Sequence, residues 1–263
     1  MTRRETILTK PAAGARGRAG LDQPPVALVF GVGPHRGLGV ALARRFAAEG
    51  LKTVIVARDK SRLARLEKAL QAEGLELAAY AADATQEQAV ASAFDFAQTQ
   101  GRLALVVYNV GGNRAATALE TSAENFEALW RQNALGGFLV GREAAQRLQT
   151  LGGGALLFTG ATASLRARPP FLAFASAKAA LRGVAQALAR EFGPKGVHVA
   201  HVVIDGVIDG DYAKKNFPAY YRARGAFGRL KPEAIAEAYW GLYRQDRSAW
   251  THELDLRPFN EIF

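Results

Sequence analysis

The chain has 263 residues, 49% of them hydrophobic and 22% charged, and carries a formal charge of +10. That balance suits one soluble α/β domain with a sizeable core and leaves little room for a second. The absence of cysteine excludes disulfides, thiolate metal sites and cysteine nucleophiles, and the four histidines (His35, His198, His201, His252) lack metal-ligand spacing.

The basic residues are scattered along the chain and form no single stripe, so nucleic acid is not an expected partner. No run of about 18 apolar residues exists, and no membrane span is expected. Residues 1–24 are rich in Gly, Ala, Pro and Arg and lack the apolar core of a secretory signal, which predicts a flexible basic tail and a cytoplasmic protein. An organellar transit peptide is the alternative for so Arg-rich a segment, but the stretch is not visibly amphipathic and contains Glu5 and Asp22.

Over 25–263, short apolar runs alternate with longer stretches of helical period, the pattern of βαβ units around a mostly parallel sheet. The expected strands are 26–30, 53–57, 77–81, 104–108, 155–159, 197–204 and 253–256, about seven in all. Gly50 suits the left-handed end of the first helix, while Thr85 with Gln88 and Thr121 with Glu124 have capping-box spacing for later starts. Right-handed crossovers then give a single doubly wound Rossmann-type domain.

The first strand runs into a turn holding Gly31, Gly33, Arg36, Gly37, Leu38 and Gly39, and then a helix. In that setting glycines let the backbone approach closely and leave free N–H groups at a helix start to face a diphosphate. At the end of the second strand, where a carboxylate would grip the ribose 2′-hydroxyl of NAD, stands Arg58, with Asp59 one residue beyond. Arg58 and Arg36 offer planar donors to a 2′-phosphate, so NADP(H) is expected in preference to NAD(H).

Together these residues resemble the short-chain dehydrogenase/reductase family from about Val26 to the last strand. The turn from Gly33 to Gly39 resembles its GxxxGxG motif, and Asp83, followed by Ala84, its adenine-contacting Asp. Asn109, Val110 and Gly111 resemble its NAG motif, Asn133 its active-site Asn, and Lys178 the Lys of YxxxK. The loop with Gly206 and Ile208 stands where the family approaches the nicotinamide carboxamide. The resemblance implies that Lys178 holds the nicotinamide ribose and that the protein is a homodimer or homotetramer acting on a small molecule.

The departures fall on the chemistry. Phe174 stands at the Tyr position and Ala161 at that of the Ser, and phenylalanine has no ionisable hydrogen. Thr162, Ser164 and Tyr212 are the candidates for a substitute hydroxyl, Ser176 being turned away along its helix. Asp205 and Asp209, near the expected mouth, are candidates to select a cationic or hydroxylated substrate, or to cap the loop. The stretch from Asp211 through Tyr220 and Tyr221 to Gly228 has the basic, aromatic make-up of a mobile lid. The expected function is an NADP(H)-dependent oxidoreductase with a non-standard proton-transfer arrangement. A dinucleotide-binding protein without turnover, or a lyase or isomerase on the same scaffold, is the alternative.

Overall fold

The computed structural model describes residues 23–262, so the expected N-terminal tail lies almost wholly outside the described residues. Seven parallel strands form the central sheet: β1 Pro25–Phe30, β2 Lys52–Ala57, β3 Leu77–Ala81, β4 Arg102–Tyr108, β5 Gly154–Thr159, β6 Val197–Ile204 and, last in the chain, β9 Glu253–Leu256. Their order is β3-β2-β1-β4-β5-β6-β9, reversing direction between β1 and β4. A two-stranded pair, β7 Val207–Ile208 with β8 Arg229–Leu230, sits apart from the sheet.

Both faces of the sheet are buried, which is why the strands read as nearly continuous apolar runs. Alternate residues of β1 serve opposite layers. Ala27 and Val29 belong to the core shared with α1 (Leu38–Ala48), α2 (Lys60–Ala72) and α9 (Pro232–Tyr243). Val26, Leu28 and Phe30 belong to the core shared with α3 (Glu87–Thr99), α5 (Gly136–Thr150) and α6 (Leu172–Phe192). Three shorter helices complete the chain: α4 (Ala123–Trp130), α7 (Asp211–Asn216) and α8 (Pro218–Ala223). Among the described residues no helix is long and apolar enough to cross a membrane.

Gly50 takes up the left-handed conformation after α1, with φ of +86°. The two capping boxes do not form. Gln86 precedes α3 without a side-chain cap, because the Thr85 hydroxyl and N–H both turn back to Asp83 Oδ1, at 2.8 and 2.9 Å. Ser122, one residue after the expected Thr121, caps α4 by accepting from the Asn125 N–H.

Candidate functional site

In a doubly wound sheet, ligands bind beyond the carboxyl ends of the strands where the order reverses. Here that place is formed by the residues following β1, β4 and β5. Gly31 follows β1 with φ of +89°, and its N–H donates to the Val56 carbonyl at 2.9 Å. Asn109, following β4, donates from Nδ2 to the Gly31 carbonyl at 2.9 Å and so ties the two strand ends together. Leu38, the first residue of α1, is buried and anchors that helix under the turn. Among the described residues, no atom beyond its chain neighbours lies within 4 Å of a Cβ built on Gly33. The bare Cα of Gly33 therefore looks out on open space in front of the turn, and no packing demand of the fold explains the glycine there.

The ends of β2 and β3 lie beside this turn. Asp59 is consumed locally. Its carboxylate caps α2 through the Arg62 N–H and also meets the Arg62 guanidinium, and these bonds hold its pKa below the usual carboxylate value. Arg58 is exposed and makes no hydrogen bond or ion pair with the described residues, and the same holds for the Arg36 guanidinium. Asp83 follows β3 in the turn with Thr85, and the neighbouring Ala84 is buried. On the α9 side of the glycine turn is a cavity of about 400 Å³, lined by His35, Arg36, Arg44, Asp209, Lys231 and Glu233 among others.

A second group gathers where α4, α5 and α6 meet the ends of β4 and β5. Between α4 and α5 the helix widens into one π-helical turn, Arg131–Leu135. Such turns open the carbonyl ladder, and frequently do so at functional sites. Here Tyr108 on β4 satisfies the freed Gln132 carbonyl, at 2.6 Å. Asn133, inside that turn and fully buried, donates from Nδ2 to the Leu129 carbonyl at 2.9 Å and to that of Gly112 at 3.3 Å. Its Oδ1 has no partner among the described residues.

Lys178, on α6 and 4% exposed, donates from Nζ to the Thr159 carbonyl at 2.8 Å. No carboxylate accompanies it, and burial lowers its pKa from 10.5 to about 8. A Cβ built on Gly111 would lie 3.3 Å from Asn133 Oδ1 and 3.5 Å from Lys178 Nζ. The two polar ends therefore converge on the bare Cα of Gly111, with the Val110 side chain on the adjoining core. The Phe174 ring lies one helical turn before Lys178, its centroid 5.8 Å from Nζ.

Each of the expected hydroxyls has a hydrogen-bond partner in the protein. Thr162 donates to Asp205 Oδ1 at 2.6 Å, and Ser164 Oγ accepts from the Ala161 N–H at 3.1 Å. Ser176 donates to the Leu172 carbonyl behind it. The Tyr212 hydroxyl on α7 donates to Asn113 Oδ1 at 2.9 Å, so α7 reaches across to the loop after β4. Phe217 packs between Tyr212 and Phe171, each ring centroid 6.3 Å away.

The two carboxylates expected at the mouth both have partners within the protein. Asp205 is buried against Thr162, Arg166 and Arg257, since a carboxylate this deep requires partners. Asp209 accepts from the Tyr221 hydroxyl and sits 3.4 Å from Arg229. Gly206 and Ile208 follow β6, the latter paired with Leu230 in the small sheet.

Sequence reasoning overlooked two contacts. The start of α7 clasps the glycine turn: the Asp211 carboxylate accepts from the Arg36 N–H at 3.1 Å, and the Asp211 N–H donates to the Arg36 carbonyl at 2.9 Å. Behind Lys178, Arg182 pairs with Glu253, which accepts from His201 Nδ1 at 3.0 Å. Burial, outweighing the carboxylate, lowers the His201 pKa to about 4. Only the side-by-side placement of distant segments reveals either, and nothing in local spacing signals them.

Residues 25–220 match the family model for short chain dehydrogenases. A short-chain dehydrogenase/reductase of Armillaria gallica is 31% identical over 68% of this chain and 69% of its own length. A short-chain dehydrogenase structure from Rhodopseudomonas palustris superposes with a TM-score of 0.76 at 37% identity, covering 89% of this chain and 99% of its own. An alcohol dehydrogenase from Thermococcus sibiricus, complexed with 5-hydroxy-NADP, superposes at 0.75 with 25% identity, over 90% and 98% of the two chains.

Proposed function

Because this chain belongs to the short-chain dehydrogenase/reductase family, we propose that it is an NADP(H)-dependent oxidoreductase moving hydride between nicotinamide and a small carbonyl, alcohol or imine. The observation that carries this reading is the vacant front of the glycine turn at Gly33, beside the N-terminus of α1. Backbone N–H groups from Gly31 to Gly39 would hold the diphosphate against the positive end of that helix. Asp83 and Ala84 would border the adenine, Asn109, Val110 and Gly111 the middle of the dinucleotide, and Gly206 and Ile208 its carboxamide end. Lys178 would hold the nicotinamide ribose, with Asn133 beside it. When bound, the dinucleotide supplies or accepts the hydride. The protein's share is orientation, exclusion of water and handling of the proton.

Arg36 and Arg58 carry the preference for the 2′-phosphate, since neither guanidinium has a hydrogen-bond or ion-pair partner among the described residues and Asp59, next to Arg58 in the chain, is occupied as a cap. The Thermococcus sibiricus relative, in complex with an NADP derivative, supports the same preference. Replacing both arginines by alanine is expected to weaken NADPH binding by about 10²-fold, the loss of two solvent-exposed charge-assisted contacts at about 1.5 kcal/mol each, while leaving NADH binding unchanged. Equal losses for both cofactors, in paired fluorescence titrations, would refute the assignment.

The test of activity is NADPH oxidation across a panel of carbonyls and imines. Stoichiometric consumption is expected, and a blank across the panel contradicts oxidoreduction. That blank, accompanied by NADPH uptake, would favour a dinucleotide-binding protein without turnover. The specific observation on that side is that Phe174 and Ala161 carry no hydroxyl, while the Thr162 hydroxyl donates to Asp205 and Ser164 Oγ accepts from the Ala161 N–H. Substrate conversion without a change in nicotinamide absorbance would mark a lyase or isomerase.

We also place the protein in the cytoplasm as a homodimer or homotetramer. Helix α4 has no buried residue and exposes Phe126 and Trp130 one turn apart, an apolar strip that a second copy would cover. Light scattering should give a dimer or tetramer, and Trp130→Glu should shift it toward monomer. A wild-type monomer would exclude this arrangement.

A further inference from the structure

We propose that Lys178 itself exchanges the proton with the substrate oxygen, doing directly what a tyrosine at position 174 would do elsewhere in the family; this rests on the oxidoreductase reading above. The geometry narrows the choice. Phe174 and Ala161 have no exchangeable hydrogen. The Thr162 and Tyr212 hydroxyls donate to Asp205 and Asn113, Ser164 is buried with its Oγ accepting from the Ala161 N–H, and Thr159 Oγ1 is 2.8 Å from the Tyr239 hydroxyl. An ammonium has three N–H donors, and the Thr159 carbonyl takes only one from Lys178.

The remaining donors have an outlet. Nζ and the unpartnered Oδ1 of Asn133 both face the bare Cα of Gly111, where any side chain would close the gap between them. Gly111 is exposed, so this floor opens on the cleft. Asn133 Oδ1, an acceptor only, is placed to receive a hydrogen bond from a group that returns the proton to Nζ. The phenyl ring of Phe174 flanks the amine, its centroid 5.8 Å from Nζ, and offers it no hydroxyl.

Atoms and charges balance in the reductive direction with a reduced nicotinamide dinucleotide as hydride source. Hydride joins the carbonyl carbon, the π pair moves to oxygen, and a Lys178 N–H bond breaks to form the O–H bond. The neutral amine then retakes a proton from solvent. The reverse reaction begins with the amine and runs the steps backwards.

Other titrating groups around Lys178 do not share its range. His201 on β6 is neutral above about pH 4, and Arg182 on α6 stays paired with Glu253 on β9. Burial raises the Tyr239 hydroxyl of α9, through which Thr159 is held, and likewise Tyr108 of β4. On the turn bearing Asn133 the charged side chain is Arg131, which is exposed and paired with Glu127 at 3.8 Å. Reduction needs the ammonium, so its rate is level below the Lys178 pKa of about 8 and falls tenfold per pH unit above it.

Two measurements test this. In the wild-type protein with 13Cε-labelled lysine, NMR should show one lysine, assigned by its loss in Lys178→Arg, titrating near 8 and apart from the rest. In kinetics, Lys178→Arg keeps a cation able to donate to the Thr159 carbonyl but cannot release its proton, so it should retain NADPH binding, lose about 10²–10⁴ in turnover and lack the alkaline limb. Tyr212→Phe should keep the limb. The proposal is overturned if Lys178 titrates with the other lysines, if the limb survives in Lys178→Arg, or if it vanishes in Tyr212→Phe. A wild type that binds no dinucleotide and turns over nothing overturns this and the oxidoreductase reading together, whereas binding and turnover with any of the three results above removes only the lysine.

Discussion

Gly33→Val is expected to leave the fold intact and weaken NADPH binding by about 10³-fold, the loss of two charge-assisted hydrogen bonds at about 2 kcal/mol each. The expectation follows from what the added side chain meets. No atom of the other described residues beyond its chain neighbours lies within 4 Å of its Cβ, and the backbone at Gly33 is not left-handed, so the folded chain should tolerate valine. Its methyl groups would instead project in front of the turn and hold a diphosphate away from the N–H groups at the start of α1. Melting temperature should therefore stay put, within about 0.5 kcal/mol of stability, while the dissociation constant rises. A mutant that binds as well as the wild type would show that the diphosphate is held elsewhere.

Gly31→Ala, two residues earlier, should do the opposite and damage the fold first. A Cβ there falls 2.5 Å from the carbonyl carbon and oxygen of Asn109 and from the Val110 nitrogen, all backbone atoms at the end of a central strand. The φ of +89° adds left-handed strain of about 1–2 kcal/mol for any residue with a Cβ. Forcing β1 and β4 apart adds about 1–3 kcal/mol in a close-packed region. A destabilisation of about 3–4 kcal/mol should lower the melting temperature by about 10 °C. Because Asn109 bonds the Gly31 carbonyl, that displacement also disturbs the site. An unchanged melting curve would mean that the strand ends are far less rigid than their hydrogen bonds imply.

The pair separates two reasons for glycine that a sequence presents identically. Gly31 is required by the backbone packed against it, whereas nothing among the described residues requires Gly33, whose glycine the proposed diphosphate site would explain. The spacing of the turn marks both, but only the neighbours of each Cα tell them apart.

Much of the fold was legible for a simple reason. Strands buried on both faces produce apolar runs that turns interrupt, so all seven sheet strands lie within two residues of their expected bounds, as with β4 at Arg102–Tyr108 against 104–108. Helix starts were less legible, because capping is settled by competition among adjacent side chains. Thr85 pairs with Asp83 before it can cap α3, and Ser122 displaces Thr121 at α4. The two-residue strands β7 and β8 are too short to carry a periodic signal.

At the site, motif order and strand–turn–helix context identified the residues that converge: Gly31, Asn109, Gly111, Asn133 and Lys178. The role of charged side chains was harder, since their partners lie far off in sequence. The sequence leaves Asp205 as either a substrate-selecting or a loop-capping carboxylate, and its partner Arg166 lies 39 positions earlier. His201 read as part of an apolar strand and its link to Glu253 and Arg182 arises only when β9 docks beside β6. Asp211, named only as part of a lid, reaches the backbone of the glycine turn across 175 positions.

A calorimetric titration of the purified protein with NADPH reaches the central claim most directly. Saturable binding is expected, with NADH binding more weakly because it offers Arg36 and Arg58 no 2′-phosphate. Absence of heat for both dinucleotides at millimolar concentration would contradict the account from the glycine turn onward.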